Sequence, residues 1–274
     1  VTLGFFTDPQ VGLVQTPQDY YNTQAFQYMN ARNGALWHDQ SFFYNIGLPG
    51  LDAIEASTCV GTGVVYRRAA LDQIGGIPTT TVTEDLHTSI KLAKVGLKSV
   101  YLNEPIAYGI AEDSLHDYHR TRHRWAHGNL HAFSHERILT CPGLPLKVRL
   151  HYLFAAITYL EGWQQLVLLS LPLWALVGGL QAFEITIFNT LVVLVFPFYA
   201  FILLQQLGCG FTRLWTNEVF AMLRWPILLK ATRGLWGAPL QWRSGNKMTL
   251  MPLQWRLLLP QVVVLILSLG AVGY

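Results

Sequence analysis

The apolar positions of this chain follow one pattern before about residue 150 and a different pattern after it. In the second part, three long stretches run without a single charged side chain. A helix needs about 20 predominantly apolar residues to cross the hydrocarbon core of a bilayer. The sequence therefore predicts an α-helical transmembrane region over 148–274, with about three spans, at roughly 162–183, 186–208 and 256–274.

Shorter elements alternate in the first part of the chain. Residues 11–15 (VGLVQ) and 98–102 (KSVYL) predict short strands, and 83–96 predicts a helix that ends near Gly96. Strands that alternate with helices indicate an α/β layer. We expect residues 1–147 to form an α/β domain, or part of one, ahead of the membrane region.

The distribution of charge supports this division. Of the 274 residues, 51% are hydrophobic and only 13% are charged, about half the share in an ordinary soluble domain. Residues 1–147 carry a net charge of −2 and residues 148–274 a net charge of +5. A mixed-charge region joined to an apolar, basic one is typical of a water-soluble domain attached to a membrane domain. Three isolated cysteines, at 59, 141 and 209, indicate neither a disulfide framework nor a thiolate zinc site.

Lysine and arginine residues also predict an orientation. They are concentrated between the second and third predicted spans, and loops rich in these residues stay on the cytoplasmic side. The expected topology has 1–150 and 213–256 in the cytoplasm, with Glu184 and the end of the chain outside.

The segment 213–250 is too charged to cross a bilayer. Apolar residues recur in it at helical spacing, which predicts a cytoplasmic amphipathic segment lying in the membrane interface. The alternative is a cytoplasmic helix packed on the first domain. The predicted apolar face consists of Trp215, Val219, Phe220, Leu223 and Ile227.

A candidate catalytic group opens the helix predicted over 83–96. Thr83, Glu84 and Asp85 place two carboxylates in its first turn, where the partial positive charge of a helix N-terminus favours the ionised form. An ionised carboxylate is what a general base requires. The alternative interpretation is ordinary capping of a helix by acidic residues.

A second candidate is the run Thr121-Arg122-His123-Arg124-Trp125. On a helix, Thr121, Arg124 and Trp125 share one face. Guanidinium groups bind phosphate oxygens in a forked geometry, and an indole beside them suits a sugar ring. A basic helix attracted to anionic lipid is the alternative. A weaker signal is the glycine-rich segment around Gly61 and Thr62, whose glycines permit a ligand to approach the backbone or simply allow a tight turn.

Histidines recur every fourth residue at 119, 123, 127, 131 and 135. Neighbours in such a row have the spacing of metal ligands. Successive steps of four drift around a helix, however, so the five side chains do not converge on one ion. We therefore expect no metal site there, and a polar stripe instead.

Taken together and in order, these segments resemble the cellulose-synthase branch of the family-2 glycosyltransferases. The resemblance rests on VGLVQTPQDYYN, on CVGTGVVYRRAALDQIGGIPTTTVTEDLHTSIKLAKVGLKSVYLNE, on YHRTRHRWAHGN and on the apolar spans that follow. It implies a GT-A-type α/β domain, part of which lies in this chain, on the cytoplasmic face of a bacterial inner membrane. It further implies inverting transfer of glucose from UDP-glucose to a growing β-linked glucan that leaves through the membrane helices.

The resemblance also assigns residues. Asp85 matches the T-E-D aspartate, the general base in that family, with Thr83 and Glu84 beside it. Arg124 and Trp125 match the Q-x-x-R-W motif, in which the arginine holds the donor diphosphate and the indole floors the acceptor site. Thr121 stands at the glutamine of that motif, and we include Arg122 as a further diphosphate ligand.

On the acceptor side, Gly61 and Thr62 match the Gly-Thr end of the family's F-F-C-G-S/T segment. The family's gating loop, F-x-V-T-x-K, falls at 242–247, where Trp242 and Lys247 are the matching residues. A divalent cation, Mg²⁺ or Mn²⁺, is expected for the complete enzyme. The family's D-x-D motif has no counterpart among these 274 residues, so we expect the metal ligands to lie outside them and the sequence to be part of a longer synthase.

Three readings compete with a cellulose synthase: a synthase of another β-linked polysaccharide, a non-processive membrane glycosyltransferase and a catalytically incomplete membrane protein. The partners expected from the resemblance are a sugar nucleotide, the glucan chain, the lipid membrane and accessory subunits, with no role for nucleic acid.

Overall fold

The computed structural model describes residues 1–32, 35–179, 184, 186–211, 214–237, 240 and 255–272. The strands in this part are β1 Val11–Gln15, β2 Gln18–Tyr20, β3 Tyr28–Arg32, β4 Ala35–His38, β5 Val64–Tyr66, β6 Lys98–Tyr101 and β7 Ala107–Gly109. The α-helices are α1 Leu48–Ala53, α2 Arg68–Gln73, α3 Glu84–Lys94, α4 Leu115–His135, α5 Leu146–Thr158, α6 Glu161–Gly178, α7 Ile187–Leu207, α8 Leu214–Ala231 and α9 Leu259–Val272. Shorter 3₁₀ turns cover Thr2–Thr7, Thr232–Trp236 and Trp255–Leu258, and a π turn covers Phe43–Gly47.

Strand β1 is the centre of a three-stranded sheet. It pairs antiparallel with β5 on one side and parallel with β6 on the other. All five residues of β1 are buried, and the first four, 11–14, form the apolar run that is typical of a central strand. The strands predicted at 11–15 and 98–102 are therefore confirmed, the second as Lys98–Tyr101. Two smaller sheets join β2 to β7 in parallel and β3 to β4 antiparallel.

Helix α3 confirms the helix predicted over 83–96. It begins directly after Thr83, carries both acids in its first turn and ends before Gly96, which has a φ of +79°. A left-handed residue after a helix favours glycine because a side chain there is strained. One face of α3 packs on the sheet through Leu92, and Ile90 joins a second core with residues of α4 and α5.

Helix α4 carries the run 121–125 and crosses close to the start of α3. The side-chain oxygen of Ser114 accepts a hydrogen bond from the Asp117 backbone N–H at 3.1 Å and caps the helix. A Cβ on Gly128 would lie 2.7 Å from both Thr83 Cγ2 and Thr83 Oγ1. Glycine at 128 is thus what allows α4 to approach the first turn of α3.

The core of the first region extends past residue 147. Helix α5 begins at Leu146 and buries Val148 and Tyr152 in a cluster with Ile90 and Ile138. The Tyr152 hydroxyl lies 3.3 Å from Thr58 Oγ1. The division into domains at 147 and 148 remains a prediction, and α5 crosses it.

Among the described residues, α7 is the single helix that is long and apolar enough by itself to cross a bilayer, and it buries none of its residues. Helices α5 and α6 meet these criteria only as a pair, with a bend of 41° between them. The apolar helix at the end of the described chain, Trp255–Ala271, is shorter. Of the three predicted spans, the one at 186–208 therefore has a helix of sufficient length, and the spans at 162–183 and 256–274 remain predictions.

Helix α8, in the segment predicted to be amphipathic, packs on two neighbouring helices. Its buried side chains are Thr216, Phe220, Ala221, Trp225, Leu228 and Ala231. Only Phe220 belongs to the face predicted from spacing, and Trp215 is 80% exposed. Helix α8 contacts both α4 and α6. The expectation that the face with Trp215 lies in the membrane interface stays a prediction.

Candidate active site

A cavity of about 620 Å³ lies where β1 ends and α3 begins. Ligands of open α/β sheets bind at the carboxyl ends of the strands, and this volume suits a small molecule. The cavity is lined by Gln18, Tyr20, Val60, Gly61, Thr62, Val64, Tyr66, Ile77, Val82, Thr83, Glu84, Asp85, Ile110, Ala111, Glu112, Asp113, Asp117, Arg120, Thr121, Arg124 and Trp125. Residues 83–85 thus meet Thr121, Arg124 and Trp125, which lie distant in sequence, at one place.

Asp85 faces this cavity from the first turn of α3. Burial raises the pKa of its carboxyl to about 6, even though the backbone N–H of Leu86 donates a hydrogen bond to Oδ1 at 2.7 Å and lowers it. The negative charge of Glu84 raises the pKa further, and the Arg124 guanidinium lowers it. A carboxyl with this pKa is ionised at neutral pH and still has appreciable proton affinity, as a general base requires.

The backbone around Gly61 forms the cavity wall opposite Asp85. Gly61 has a φ of +93°, and a Cβ there would lie 2.9 Å from Asp85 Oδ2. Gly63 has a φ of +75°, and its Cβ would lie 2.5 Å from Thr16 Oγ1. Both positions exclude a side chain. Glycine therefore brings the backbone of this loop directly against the carboxylate.

Helix α4 supplies the remaining predicted residues. Thr121, Arg124 and Trp125 all line the cavity, as their common helical face predicts. Arg124 acts on the Asp85 carboxylate electrostatically, so its positive charge lies near that carboxylate. The arrangement offers a cation and an indole within reach of an acid.

Arg122 does not belong to the cavity. Its guanidinium is buried and forms an ion pair with Asp39 at 2.6 Å. It also stacks on the rings of Tyr118 and Trp125, 4.7 Å and 4.6 Å from their centroids. Burial would raise the pKa of Asp39, but the Arg122 charge and the nearby His38 ring outweigh it and hold that pKa at about 2. The expectation that Arg122 binds a diphosphate is therefore corrected. Its position on α4 faces away from the cavity, and its guanidinium packs against the Trp125 ring.

Several cavity residues were not predicted. Asp117 and Arg120 form an ion pair at 2.7 Å on α4, and both precede Arg124 on the same helical face. Helical spacing backward from Arg124 was the signal that would have identified them. Glu112 and Asp113 sit before α4, where they accept hydrogen bonds from Gln27 Nε2 at 2.7 Å and Asn22 Nδ2 at 2.8 Å. Those partners are about 85 and 91 residues distant in the chain, so local spacing gives no signal for them.

The row of histidines spreads around α4. His119 and His127 are buried, and adjacent rings lie side by side, His123 with His127 at 5.7 Å and His131 with His135 at 6.0 Å. Within the described part of the chain, no group of three or more His, Cys, Asp or Glu side chains is placed to hold a metal ion. The expectation that the ligands of Mg²⁺ or Mn²⁺ lie outside these 274 residues stays a prediction. The gating-loop candidates Trp242 and Lys247 lie outside the described residues.

The position of the cavity and the side chains around it define the class of protein. A pocket at the strand ends of an α/β domain, with guanidinium groups for phosphate and an indole for a ring, is typical of an enzyme that binds a sugar phosphate or nucleotide. The chain belongs to the glycosyl transferase family group 2, whose family model matches residues 2–213.

Within this family, the chain is similar to bacterial cellulose synthases. The chain is 29% identical over 282 aligned positions to the UDP-forming cellulose synthase catalytic subunit of Pseudomonas fluorescens, an alignment covering 100% of this chain and 38% of the relative. It is 35% identical over 180 positions to cellulose synthase 1 of Komagataeibacter xylinus, which covers 65% of this chain and 12% of that protein. The chain thus spans well under half the length of these relatives. A solved mannosyltransferase from Pyrobaculum calidifontis, in complex with GDP-Man and Mn²⁺, superposes with a TM-score of 0.46 at 19% identity, covering 86% of this chain and 56% of that one.

Proposed function

We propose that the protein containing this chain transfers glucose from UDP-glucose, with inversion, to the end of a growing β-linked, cellulose-like polysaccharide. The observation that carries the proposal is the meeting of Asp85, Arg124 and Trp125 around one cavity. The similarity to UDP-forming cellulose synthase catalytic subunits supports the choice of donor and product.

Asp85 acts as the general base. Its carboxylate accepts the proton of the acceptor hydroxyl as that oxygen attacks the anomeric carbon of the donor sugar. The new bond to the acceptor oxygen forms as the bond to the diphosphate breaks, so UDP leaves and an α-linked donor gives a β-linked product. A positioned base contributes about 10²–10⁴-fold to such a reaction.

Arg124 stabilises the diphosphate. Negative charge builds on the departing phosphate oxygens, and a guanidinium aimed at them binds more strongly as the reaction proceeds. Thr121 lies one turn before it and faces the same cavity, where its hydroxyl serves as a hydrogen-bond donor. A divalent cation, Mg²⁺ or Mn²⁺, would add positive charge at the same diphosphate in the complete enzyme, with ligands expected outside these 274 residues.

Trp125 and the loop at Gly61 and Thr62 hold the acceptor. The indole offers a flat apolar face to a sugar ring, and the Arg122 guanidinium behind it fixes its orientation. Gly61 leaves room for a hydroxyl in front of Asp85, because any side chain there would meet the carboxylate.

The remaining parts of the proposal concern the membrane. The uncharged helices, of which α7 has the length of a span, would anchor the protein in a bacterial inner membrane and carry the glucan across it. Accessory subunits of a synthase complex are partners of the same proposal.

A product assay tests this function. Membranes containing the full gene product are given radiolabelled UDP-glucose, UDP-N-acetylglucosamine or GDP-mannose in parallel. We expect insoluble product from UDP-glucose alone, and its release by a β-1,4-glucanase. Insoluble product from another donor identifies a different synthase, short soluble product a non-processive transferase, and no product from any donor a catalytically incomplete protein.

A further inference from the structure

One buried side chain at the end of β1 holds the cavity wall from behind. The side chain of Gln15 is fully buried. Its Nε2 donates hydrogen bonds to the carbonyl oxygens of Thr62 at 2.6 Å and Thr16 at 2.7 Å. Its Oε1 accepts a hydrogen bond from the backbone N–H of Val60 at 2.8 Å. The amide thereby fastens the chain on both sides of Gly61.

The loop that Gln15 holds is the one that faces Asp85. The Cβ position of Gly61 lies 2.9 Å from Asp85 Oδ2, so the loop and the carboxylate are already at contact distance. The backbone N–H of Cys59 donates to Ser89 Oγ on α3 at 2.7 Å, which ties the other end of the loop to the helix that carries Asp85. A shift of the loop would therefore change the space directly in front of the carboxylate.

We propose that Gln15 is the positioning residue of this site, which sets the distance between loop 60–62 and Asp85 and so the reach of an acceptor hydroxyl to the base. Gln15 is not among the residues that line the cavity and acts through the backbone of Val60 and Thr62. The inference rests on the proposed function, because it assigns Gln15 to the acceptor side of the reaction.

Two substitutions separate positioning from folding. Gln15→Glu keeps the shape of the side chain but replaces the Nε2 donor with an oxygen that faces two carbonyl oxygens. The neutral acid still donates one hydrogen bond, whereas the carboxylate repels both carbonyls. Gln15→Leu removes the amide and leaves the Val60 N–H and the Thr62 carbonyl without this partner at every pH.

The other described titratable groups near loop 60–62 do not change charge over the pH range of the test, apart from Asp85. Burial raises the pKa of the Cys59 thiol to about 12 and raises the pKa of the Tyr66 and Tyr101 phenols, so these groups stay neutral across the range. Glu84 lies beside Asp85 on α3 and is exposed. Asp85, with a pKa of about 6, titrates in the unaltered protein as well, so the activity of each variant is compared with that of the unaltered protein at the same pH.

The experiment measures kcat and KM for glucosyl transfer from about pH 6 to about pH 9, together with UDP affinity and thermal unfolding. For Gln15→Glu we expect activity relative to the unaltered protein to fall about 10–100-fold between these limits, since buried glutamates ionise near pH 8 and a misplacement of about 1 Å costs about 10²-fold. For Gln15→Leu we expect a similar loss that does not vary with pH. Gln73→Glu, the same change at an exposed position on α2, should match the unaltered protein throughout.

Each outcome decides the inference. A pH-dependent loss in kcat with UDP affinity retained supports it. Normal turnover of both variants overturns it, and so does loss of folded protein in both, which assigns Gln15 to folding alone. Asp85→Asn measured in parallel separates the inference from the function. If the unaltered protein transfers glucose and Asp85→Asn does not, the function stands whatever Gln15 does, and if the unaltered protein transfers nothing from any donor, the function fails first.

Discussion

Two aspartates near α4 have opposite electrostatic environments. For Asp85 the largest influence is burial, which raises the pKa of its carboxyl to about 6. Asp39 is also buried, but the Arg122 charge outweighs burial and holds its pKa at about 2. The first carboxylate can exchange a proton near neutral pH, and the second is a fixed charge. The difference suits a base in one case and a support for the Trp125 ring in the other.

Removing the carboxylate of Asp85 should abolish most transfer and leave a well-folded protein. We expect Asp85→Asn to lower kcat by about 10²–10⁴-fold with UDP affinity retained. A raised folded-state pKa means that the ionised form destabilises the fold above about pH 6, by up to about 3 kcal/mol, and that this cost disappears below the unfolded pKa near 4. Asp85→Asn should therefore melt at the same or a higher temperature than the unaltered protein at pH 7.5. Turnover close to normal would exclude Asp85 as the base.

The activity should also follow the titration of Asp85. Because a base must be ionised, kcat/KM should fall about tenfold per pH unit below its pKa, which is about 6, and level off above it. The measurement is the initial rate at low donor concentration from about pH 5 to about pH 8, with thermal unfolding at each pH as the control for stability. A flat profile over this range would contradict the assignment.

The two arginines of the run 121–125 should behave differently when changed to lysine. Arg124→Lys keeps the charge but loses the forked geometry, so the KM for the donor should rise about 10–100-fold. Arg122→Lys should lower the melting temperature instead, since it disturbs the buried contacts with Asp39 and the Trp125 ring, and it should leave UDP affinity within about threefold. Equal losses of UDP affinity in both variants would restore Arg122 as a diphosphate ligand.

At the scale of elements, the close crossing of α3 and α4 brings Asp85 on the first helix near Arg124 and Trp125 on the second. Gly128 contributes no side chain, and Thr83 occupies the space that one would fill. At the far end of the same pair, His87 Nε2 on α3 lies 2.5 Å from the Glu136 carboxylate just after α4, and Lys94 pairs with the same carboxylate. The hydrogen bond from His87, together with Lys94, outweighs burial and lowers the pKa of Glu136 to about 2. The two helices are thus held at both ends of their contact.

A methyl group at this crossing should impair the site without harming the helix. Alanine favours an α-helix over glycine by about 1 kcal/mol, yet the Cβ of Gly128→Ala would lie 2.7 Å from Thr83 and force the first turn of α3 to move. We expect kcat to fall about 10–100-fold, from a shift of about 1 Å at Asp85. Gly50→Ala in α1, whose Cβ meets no described atom within 4 Å, is the matched control and should keep normal activity. Unchanged turnover of Gly128→Ala would show that the crossing is not critical.

The sequence predicted features that depend on neighbouring residues better than features that depend on contacts between residues far apart in the chain. The strand at 11–15, the helix after Thr83 and the shared face of Thr121, Arg124 and Trp125 follow from local periodicity, and the structure agrees. The inward position of Arg122 depends on Asp39, a residue more than 80 positions away, and the buried face of α8 depends on two neighbouring helices. Such contacts are decided by tertiary packing, which periodicity does not carry.

At the scale of the whole molecule, the orientation in the membrane is still a prediction. The Lys/Arg distribution places the loop at Glu184 outside and the segment near Lys230 in the cytoplasm. A reporter that is active only in the periplasm should be active when fused after Glu184 and inactive when fused near Lys230, and a cytoplasmic reporter should give the reverse. The same response at both sites would show that the span between them, α7, does not cross the membrane.

Helix α8 packs closely against both α6 and α4. A Cβ on Gly162 of α6 would lie 2.7 Å from the Leu229 backbone nitrogen, so α6 and α8 touch backbone to backbone. On its other side, Leu228 and Ala231 press on Ala126, the residue next to Trp125. Because closely packed contacts of this kind leave little free space, a displacement of α6 would be transmitted through α8 to the residue beside the Trp125 indole. Trp125, which lines the cavity, is in this sense mechanically coupled to the apolar helix α6.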